Sequence, residues 1–328
     1  NLTHLSKINL LIGDNNAGKT SILEAISIIQ NPFEIYDWYN VLRAREIRSI
    51  GFPHDQASVI ETLRWMFPVG KKKYSNNDEL GSIRISSSSQ GFVDKLTIDG
   101  HVIQGIISPE SLSRSIIGRS YSKKEPVEDH GLFIEARGTF EQGYPYAVSH
   151  SEEWMIWSLL GLRSERRRNR PVEKVQFLPP YAHRNTPASL RLLTQVSELG
   201  GRDDINALLR DLNPRIAGLE IITSEDGLFP RLALRMQNGT LMPQGIFGDG
   251  IRRAISIAIA LLRAKNGILL IDEIETGLHV NALDRVYRWL EDALSTFSVQ
   301  VFATTHSLEA IGAIVKAISP NSHAMLNA

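Results

Sequence analysis

The chain contains no cysteine, which excludes a disulfide scaffold and any thiolate metal site and fits a cytoplasmic protein. It has no excess of charge either: Lys plus Arg and Asp plus Glu each number 36. A global field drawing the protein to nucleic acid is therefore excluded, and any such surface must be local. No apolar run approaches the roughly 18 residues of a membrane-spanning helix, and no signal peptide is recognisable, so no membrane contact is expected. No internal repeat stands out, and no D-x-D pair occurs anywhere. What remains is 328 residues, 42% hydrophobic and 22% charged, an ordinary composition for a globular protein of about two domains. The chain opens at Asn1, not Met, close before its first motif, and a trimmed N-terminus is expected.

That first motif dominates what is present. Lys7–Ile29 reads KINLLIGDNNAGKTSILEAISII: an apolar strand from Ile8 to Ile12, a glycine-bounded loop, and a helix resuming from Ser21. The loop is G-x-x-x-x-G-K-[ST] in its strand–loop–helix context. Gly13 and Gly18 let the backbone curl so that the N–H groups of Asn15, Asn16 and Ala17 face inward as an anion nest. The helix N-terminus adds its positive dipole end, beside Ser21. Lys19 is placed to reach β- and γ-phosphates, and the Thr20 hydroxyl to ligate Mg²⁺. These residues point to a nucleoside triphosphate, with Mg²⁺ as cofactor.

Between this motif and the next lies a long middle. Tyr36–Arg48 reads as a helix and Glu61–Phe67 as a short amphipathic piece, followed by a solvated Lys71–Lys73 loop. From Gly81 to Tyr146 the pattern alternates, predicting an antiparallel β lobe with turns at Asp99-Gly100 and Gln142-Gly143 and a poorly ordered Ser108–Ser122. Glu152–Leu162 reads as a packed helix. Arg163–Arg170 holds five arginines, a solvated helix end or a phosphate-backbone contact, with no interleaved aromatic platform for base stacking. Lys174–Leu178 reads as a strand closed by Pro179-Pro180, Ser189–Leu199 and Asp203–Leu212 as a helical pair, and Leu219–Ile222 and Leu232–Met236 as strands.

The C-terminal quarter returns to site chemistry. Phe247-Gly248-Asp249-Gly250-Ile251-Arg252-Arg253 opens an apolar helix, with Asp249 as candidate N-cap and the glycine-rich start as a further anion site. Gly267–Glu273 is a buried strand ending in two carboxylates, at the edge where open α/β sheets bind ligands. Asp272 can hold Mg²⁺ and Glu273 can orient or deprotonate the attacking water. Asn281–Phe297 is an amphipathic helix. Gln300–Ser307 is a strand ending in hydroxyls and His306, which can reach a γ-phosphate at the same edge.

In this order, GDNNAGKTS, FGDGIRR, ILLIDEIETGLH and VFATTHS resemble the ABC-type ATPase superfamily in its SMC-like branch. Within it, the chain is most similar to the OLD-like family of AAA-named ATPases associated with bacterial defence against phage. The likeness covers about Lys7–Ile29 and Ile246–Val315. It implies a head domain that dimerises around ATP, held by Gly13–Ser21 of one subunit and by Gly248–Arg253, among them Asp249, Gly250 and Arg253, of the other. Glu273 would be the catalytic base, His306 the γ-phosphate switch, and Glu275–His279 a loop crossing the dimer interface. Gly248 stands where such signatures usually carry serine, and no Q-loop glutamine is assignable. Full OLD-type proteins carry a Toprim nuclease whose D-x-D is missing here, so either a separate Toprim effector or a truncated chain is expected.

The expected fold is therefore an α/β, P-loop NTPase of ABC-ATPase head type. Residues 1–30 and 240–328 form its core, 31–150 a helix plus antiparallel β lobe, and 151–239 a helical or mixed insertion. The expected function is an ATP-hydrolysing sensor or scaffold of an anti-phage system that controls a nuclease-type effector. A DNA-maintenance ATPase and a non-hydrolysing nucleotide-dependent scaffold are the alternatives.

Overall fold

The computed structural model describes residues 2, 5–15, 17–43, 57–67, 79–87, 93–113, 125–140, 148–160, 162, 175–184, 193–194, 200–223, 230–317 and 324–327. These fall into two compact units, one made of 1–23 and 171–328 and the other of 24–170. Residues 171–239 group with residues 1–23 in the first unit.

The first unit is built on a five-stranded, all-parallel sheet. Strands β1 (Ile8–Ile12), β6 (Val175–Leu178), β10 (Ile268–Ile271), β11 (Gln300–Thr305) and β12 (Ala324–Asn327) lie in the order β12-β1-β11-β10-β6. Leu10, Leu269, Leu270, Ile271, Val301 and Ala303 are almost wholly buried, as the strands of a parallel sheet covered on both faces must be. Each large aliphatic among them contributes about 1.5–3 kcal/mol by burial. The register fixes the site. Ile12 pairs with Thr305, Ile271 with Ala303, and Ile271 with Leu178, so the segments that follow β1, β6, β10 and β11 all emerge at one sheet edge.

Helices pack around this sheet. α1 (Lys19–Gln30) begins directly after the P-loop, its residues 19–23 belonging to this unit. α5 (Arg202–Leu212), α6 (Asp249–Arg263), α7 (Val280–Phe297) and α8 (Leu308–Ala317) follow in the same unit. α6 is buried continuously from Arg253 to Leu262, which its all-round apolar sequence requires. α7 turns Leu283, Val286, Leu290 and Ala293 into the core and ends on Ser298, a left-handed C-cap. A small antiparallel sheet of β7 (Ile216–Ile222), β8 (Arg231–Met236) and β9 (Leu241–Pro243) completes this unit.

The second unit is the antiparallel lobe, β2 (Glu79–Ser86), β3 (Lys95–Ile107), β4 (Val127–Phe140) and β5 (Val148–Trp157), with α2 (Ile35–Arg43), α3 (Ala57–Arg64) and the short α4 (Pro109–Ser113). Two expectations are corrected here. Asp99-Gly100 is not a turn but lies inside β3, paired with Ser82 and Gly81 on one side and Glu135 and Ile134 on the other. Its glycine serves a close approach, since a Cβ at Gly100 would lie 2.5 Å from the Phe67 ring. Glu152–Leu162 is not a helix: through Trp157 it is strand β5, with Ile156 buried and Met155 exposed on the opposite face. The lobe is thus a four-stranded sheet, with the segments on either side of Gly100 joined in one long strand and β5 added at its edge.

Lys71–Lys73, Gln142-Gly143 and Arg163–Arg170 lie outside the described residues, as do Ala44–Arg48, most of Ser108–Ser122 and all of Ser189–Leu199 except Leu193 and Thr194. Among the described residues no helix is long and apolar enough to cross a membrane.

Candidate functional site

The site is assembled where β1, β6, β10 and β11 end. After β1, Asp14, Asn15, Ala17 and Gly18 are exposed, and Gly18 adopts φ +82°, a left-handed value glycine takes without strain. Lys19 Nζ folds back over this loop and donates to the carbonyls of Gly13 and Asp14, both at 2.7 Å. Asn16 lies outside the described residues, and Ser21 is exposed in the first turn of α1.

Thr20 faces the end of β10. Its hydroxyl donates to the Asp272 carboxylate, 3.1 Å from Oδ1 and 3.0 Å from Oδ2. Asp272 is 7% exposed and also accepts from the Thr304 hydroxyl of β11 at 2.6 Å. The Thr304 oxygen in turn accepts from the Glu273 backbone N–H at 2.8 Å. Helix α1 and strands β10 and β11 thereby converge on one carboxylate. Hard oxygen donors in this combination suit Mg²⁺, which is usually held by one or two protein oxygens plus substrate phosphate.

Glu273 is the strained member of the group. Its φ is +47°, a conformation costing a non-glycine residue on the order of 1–3 kcal/mol. Contacts hold it there: the Thr304 bond to its N–H, a bond from Thr276 Oγ1 to its carboxylate at 2.8 Å, and one from Arg253 to its carbonyl at 3.2 Å. His306, exposed just past β11, sits beside Glu275. The Glu275 carboxylate accepts from the His306 backbone N–H at 3.3 Å and lies 3.5 Å from its Nδ1. His279 caps α7, its Nδ1 accepting from Asn281 N–H.

The segment after β9 differs in detail from its sequence reading. Gly248, not Asp249, is the N-cap of α6, and no side chain caps the helix. Asp249 is instead the first helical residue and binds outward. It accepts from Arg184 at 2.9 Å and Arg252 at 3.2 Å, and the Arg184 hydrogen bond holds its carboxyl below the usual carboxylate range. Gly250 approaches the carbonyl of Gly277. Gly248 is exposed with open space about its Cα. Arg253, expected among the nucleotide contacts, is turned inward and is 0% exposed. Its four hydrogen bonds all go to backbone carbonyls: Pro179, Pro180, Asp272 and Glu273.

Sequence reading missed His183, Arg184, Thr276 and the role of Thr304. The first two stand in a 3-10 turn, Ala182–Arg184, directly after β6, and the signal was available: a strand closed by prolines should deliver the next residues to the ligand edge. His183 is 2% exposed, its Nδ1 3.1 Å from the Pro180 carbonyl and its Nε2 3.7 Å from Asp249. Burial, then the Arg253 charge, push its pKa down.

The chain is 22% identical over 334 residues to an ATP/GTP phosphatase of Helicobacter pylori, a match spanning 93% of this chain and 81% of that one. Among solved structures it resembles the SMC head bound to the C-winged-helix domain of ScpA, at 12% identity over 94% of this chain and 85% of that one with a TM-score of 0.39. It also resembles the SMC head domain from Thermotoga maritima, at 12% identity over 94% and 84% with a TM-score of 0.37. The parallel sheet, the glycine-bounded loop between β1 and α1 and the acidic end of β10 make the α/β fold that of a P-loop NTPase. Residues 8–312 match the family described as "AAA domain, putative AbiEii toxin, Type IV TA system", and the chain belongs to that family.

Proposed function

We propose that the protein binds Mg²⁺–ATP at this edge and hydrolyses it, two copies closing around the nucleotide. The observation that carries the reading is the Thr20–Asp272–Thr304 cluster set beside the P-loop and Lys19. Gly13–Ser21 would cradle the phosphates. Lys19 would leave the Gly13 and Asp14 carbonyls for the β- and γ-phosphate oxygens, exchanging neutral acceptors for charged ones. Thr20 and Asp272 would hold Mg²⁺, which when bound would neutralise developing phosphate charge. Glu273 would take the proton of the attacking water, and His306, backed by Glu275, would meet the γ-phosphate. Gly248, Asp249 and Gly250 would face the nucleotide of a second copy, the α6 N-terminus supplying N–H donors.

The proposed biological role is an ATP-driven switch that controls a separate effector, in the manner of OLD-like ATPases that pair with Toprim nucleases in anti-phage defence. Support comes from the motif resemblance and from the family's description as a putative AbiEii toxin of a type IV toxin–antitoxin system. A second reading has one specific observation in its favour. Gly248 supplies no hydroxyl where related signatures supply serine, which suits a scaffold that binds ATP without turning it over.

ATP turnover and mass in solution, measured for the wild type and Glu273→Gln, separate the two. Loss of the base should lower turnover by about 10²–10⁴-fold while ATP binding persists and an ATP-bound dimer accumulates. Assembly with ATP and no turnover in either protein would select the scaffold. Absence of ATP binding by the wild type would overturn both.

A further inference from the structure

Arg253 is the largest polar side chain in the wholly buried set, and the mechanism above gives it no task. Its Nη1 donates to Pro179 O at 2.8 Å and Pro180 O at 3.1 Å, and its Nη2 to Asp272 O at 3.0 Å and Glu273 O at 3.2 Å. One guanidinium therefore ties together the start of α6, the turn after β6 and the acidic segment after β10. Its Nε makes no hydrogen bond among the described residues, so the carbonyls alone orient the fork. Burial lowers its pKa only to about 10, and it stays a cation at neutral pH.

A buried cation is costly unless fully used, and an apolar residue of similar volume would hold these three segments together as well. What an apolar residue cannot do is fix the carbonyl of a strained peptide. Glu273 is that peptide: left-handed at φ +47°, its N–H bound to Thr304, its carboxylate to the Thr276 hydroxyl, and its carbonyl shared between Arg253 and the Thr276 N–H at 2.9 Å. The following loop lies against the same turn of α6. A Cβ at Gly277, itself at φ +78°, would come within 3.6 Å of Arg253 Cβ and 3.5 Å of Asp249 Cβ.

We propose that Arg253 is a positioning residue: its buried guanidinium grips the Asp272–Glu273 backbone from α6, holds Glu273 in its left-handed conformation and so aims the Glu273 carboxylate at the attacking water. The last step rests on the hydrolysis proposed above; the backbone restraint does not. A planar fork with donors to two pairs of acceptors is required, and the lysine ammonium, a point charge with three rotatable donors, does not reproduce it.

The test compares wild type, Arg253→Lys and Arg253→Met in the full chain, reading amide hydrogen exchange over residues 272–276, the KM for ATP and kcat. Faster exchange confined to 272–276, with kcat lowered by roughly 100-fold and KM for ATP nearly unchanged, is the expected result. Adding Arg253→Lys to Glu273→Gln should then cost little further activity, because Arg253 acts through Glu273. Unchanged exchange in this segment, or wild-type kcat in Arg253→Lys, overturns the proposal. So does a parallel loss of ATP binding and kcat, which a merely structural strut would give. Should the Met variant fail to fold, the Lys variant carries the test. A wild type without turnover sinks the hydrolysis reading alone, and the exchange data still decide whether Arg253 holds this backbone.

Discussion

The antiparallel lobe and the C-terminal edge of the parallel sheet are stabilised in opposite ways. In the lobe, Ile98, Leu132, Ile134 and Ala136 are 0% exposed, as is Trp38, whose ring stands edge-on to Trp154 at 5.2 Å. Among its described residues, the buried polar atoms lacking a hydrogen bond are two hydroxyls, Ser82 Oγ and Thr139 Oγ1. At the sheet edge the atoms in that state, among the described residues, are His183 Nε2, Arg253 Nε, Glu275 Oε2 and Tyr287 OH. Three of the four belong to ionisable groups of the candidate site, and a strained Glu273 lies among them. Burial of this kind opposes folding. Under the proposed function, the edge keeps such ionisable groups to hold a conformation for chemistry, whereas in the lobe only hydroxyls are left so among the described residues and side chains otherwise pack.

That contrast can be broken by substitution. The largest effect expected is on the lobe: Ile134→Ala should destabilise by about 2–5 kcal/mol through lost burial and a residual cavity. Denaturant unfolding would show it, and the KM for ATP of the folded fraction should not move. A shift in KM equal to the change in stability would erase the distinction between the two regions.

Next, Thr304→Val should leave the packing of β11 intact but unbind both Asp272 Oδ1 and the Glu273 N–H. A loss of about 10-fold in kcat is expected, near the 1–3 kcal/mol cost of a buried group left unpaired. Steady-state kinetics beside a melting curve would check that activity falls more than stability.

The smallest effect concerns pH. His183 faces Arg253, Asp249, Arg184 and Arg252, and burial lowers its pKa in the folded state. The unfolded chain therefore takes up the proton first. The stability contributed by neutral His183 is complete above its unfolded pKa of about 6.5 and is lost as pH falls below it toward the lowered folded value. His183→Asn should flatten the melting temperature between pH 6.5 and pH 5. An unaltered slope would show that His183 does not titrate against this cluster.

The edge was more legible than the lobe, for reasons visible at single residues. Strand–loop–helix spacing located Gly13–Thr20, and a short apolar run ending in two acids located Asp272 and Glu273, because parallel register delivers such ends to one side. Gly100 misled because glycine marks both turns and close contacts, and only the Phe67 ring, distant in sequence, tells which applies. Trp154 and Ile156 misled because an apolar stretch this short fits either period. Arg253 misled in a third way. Its neighbours Gly248 and Asp249 reach the surface, while one turn further along α6 the same motif passes into the core.

One further consequence follows from the backbone at position 273. Glycine or asparagine would sit there with less strain, and a chain selected only to remain folded would gain by either. Glutamate occupies the position despite that cost. Efforts to make this protein more robust by relaxing its backbone should spare this residue, since under the proposed function thermal tolerance won there would be drawn from hydrolysis.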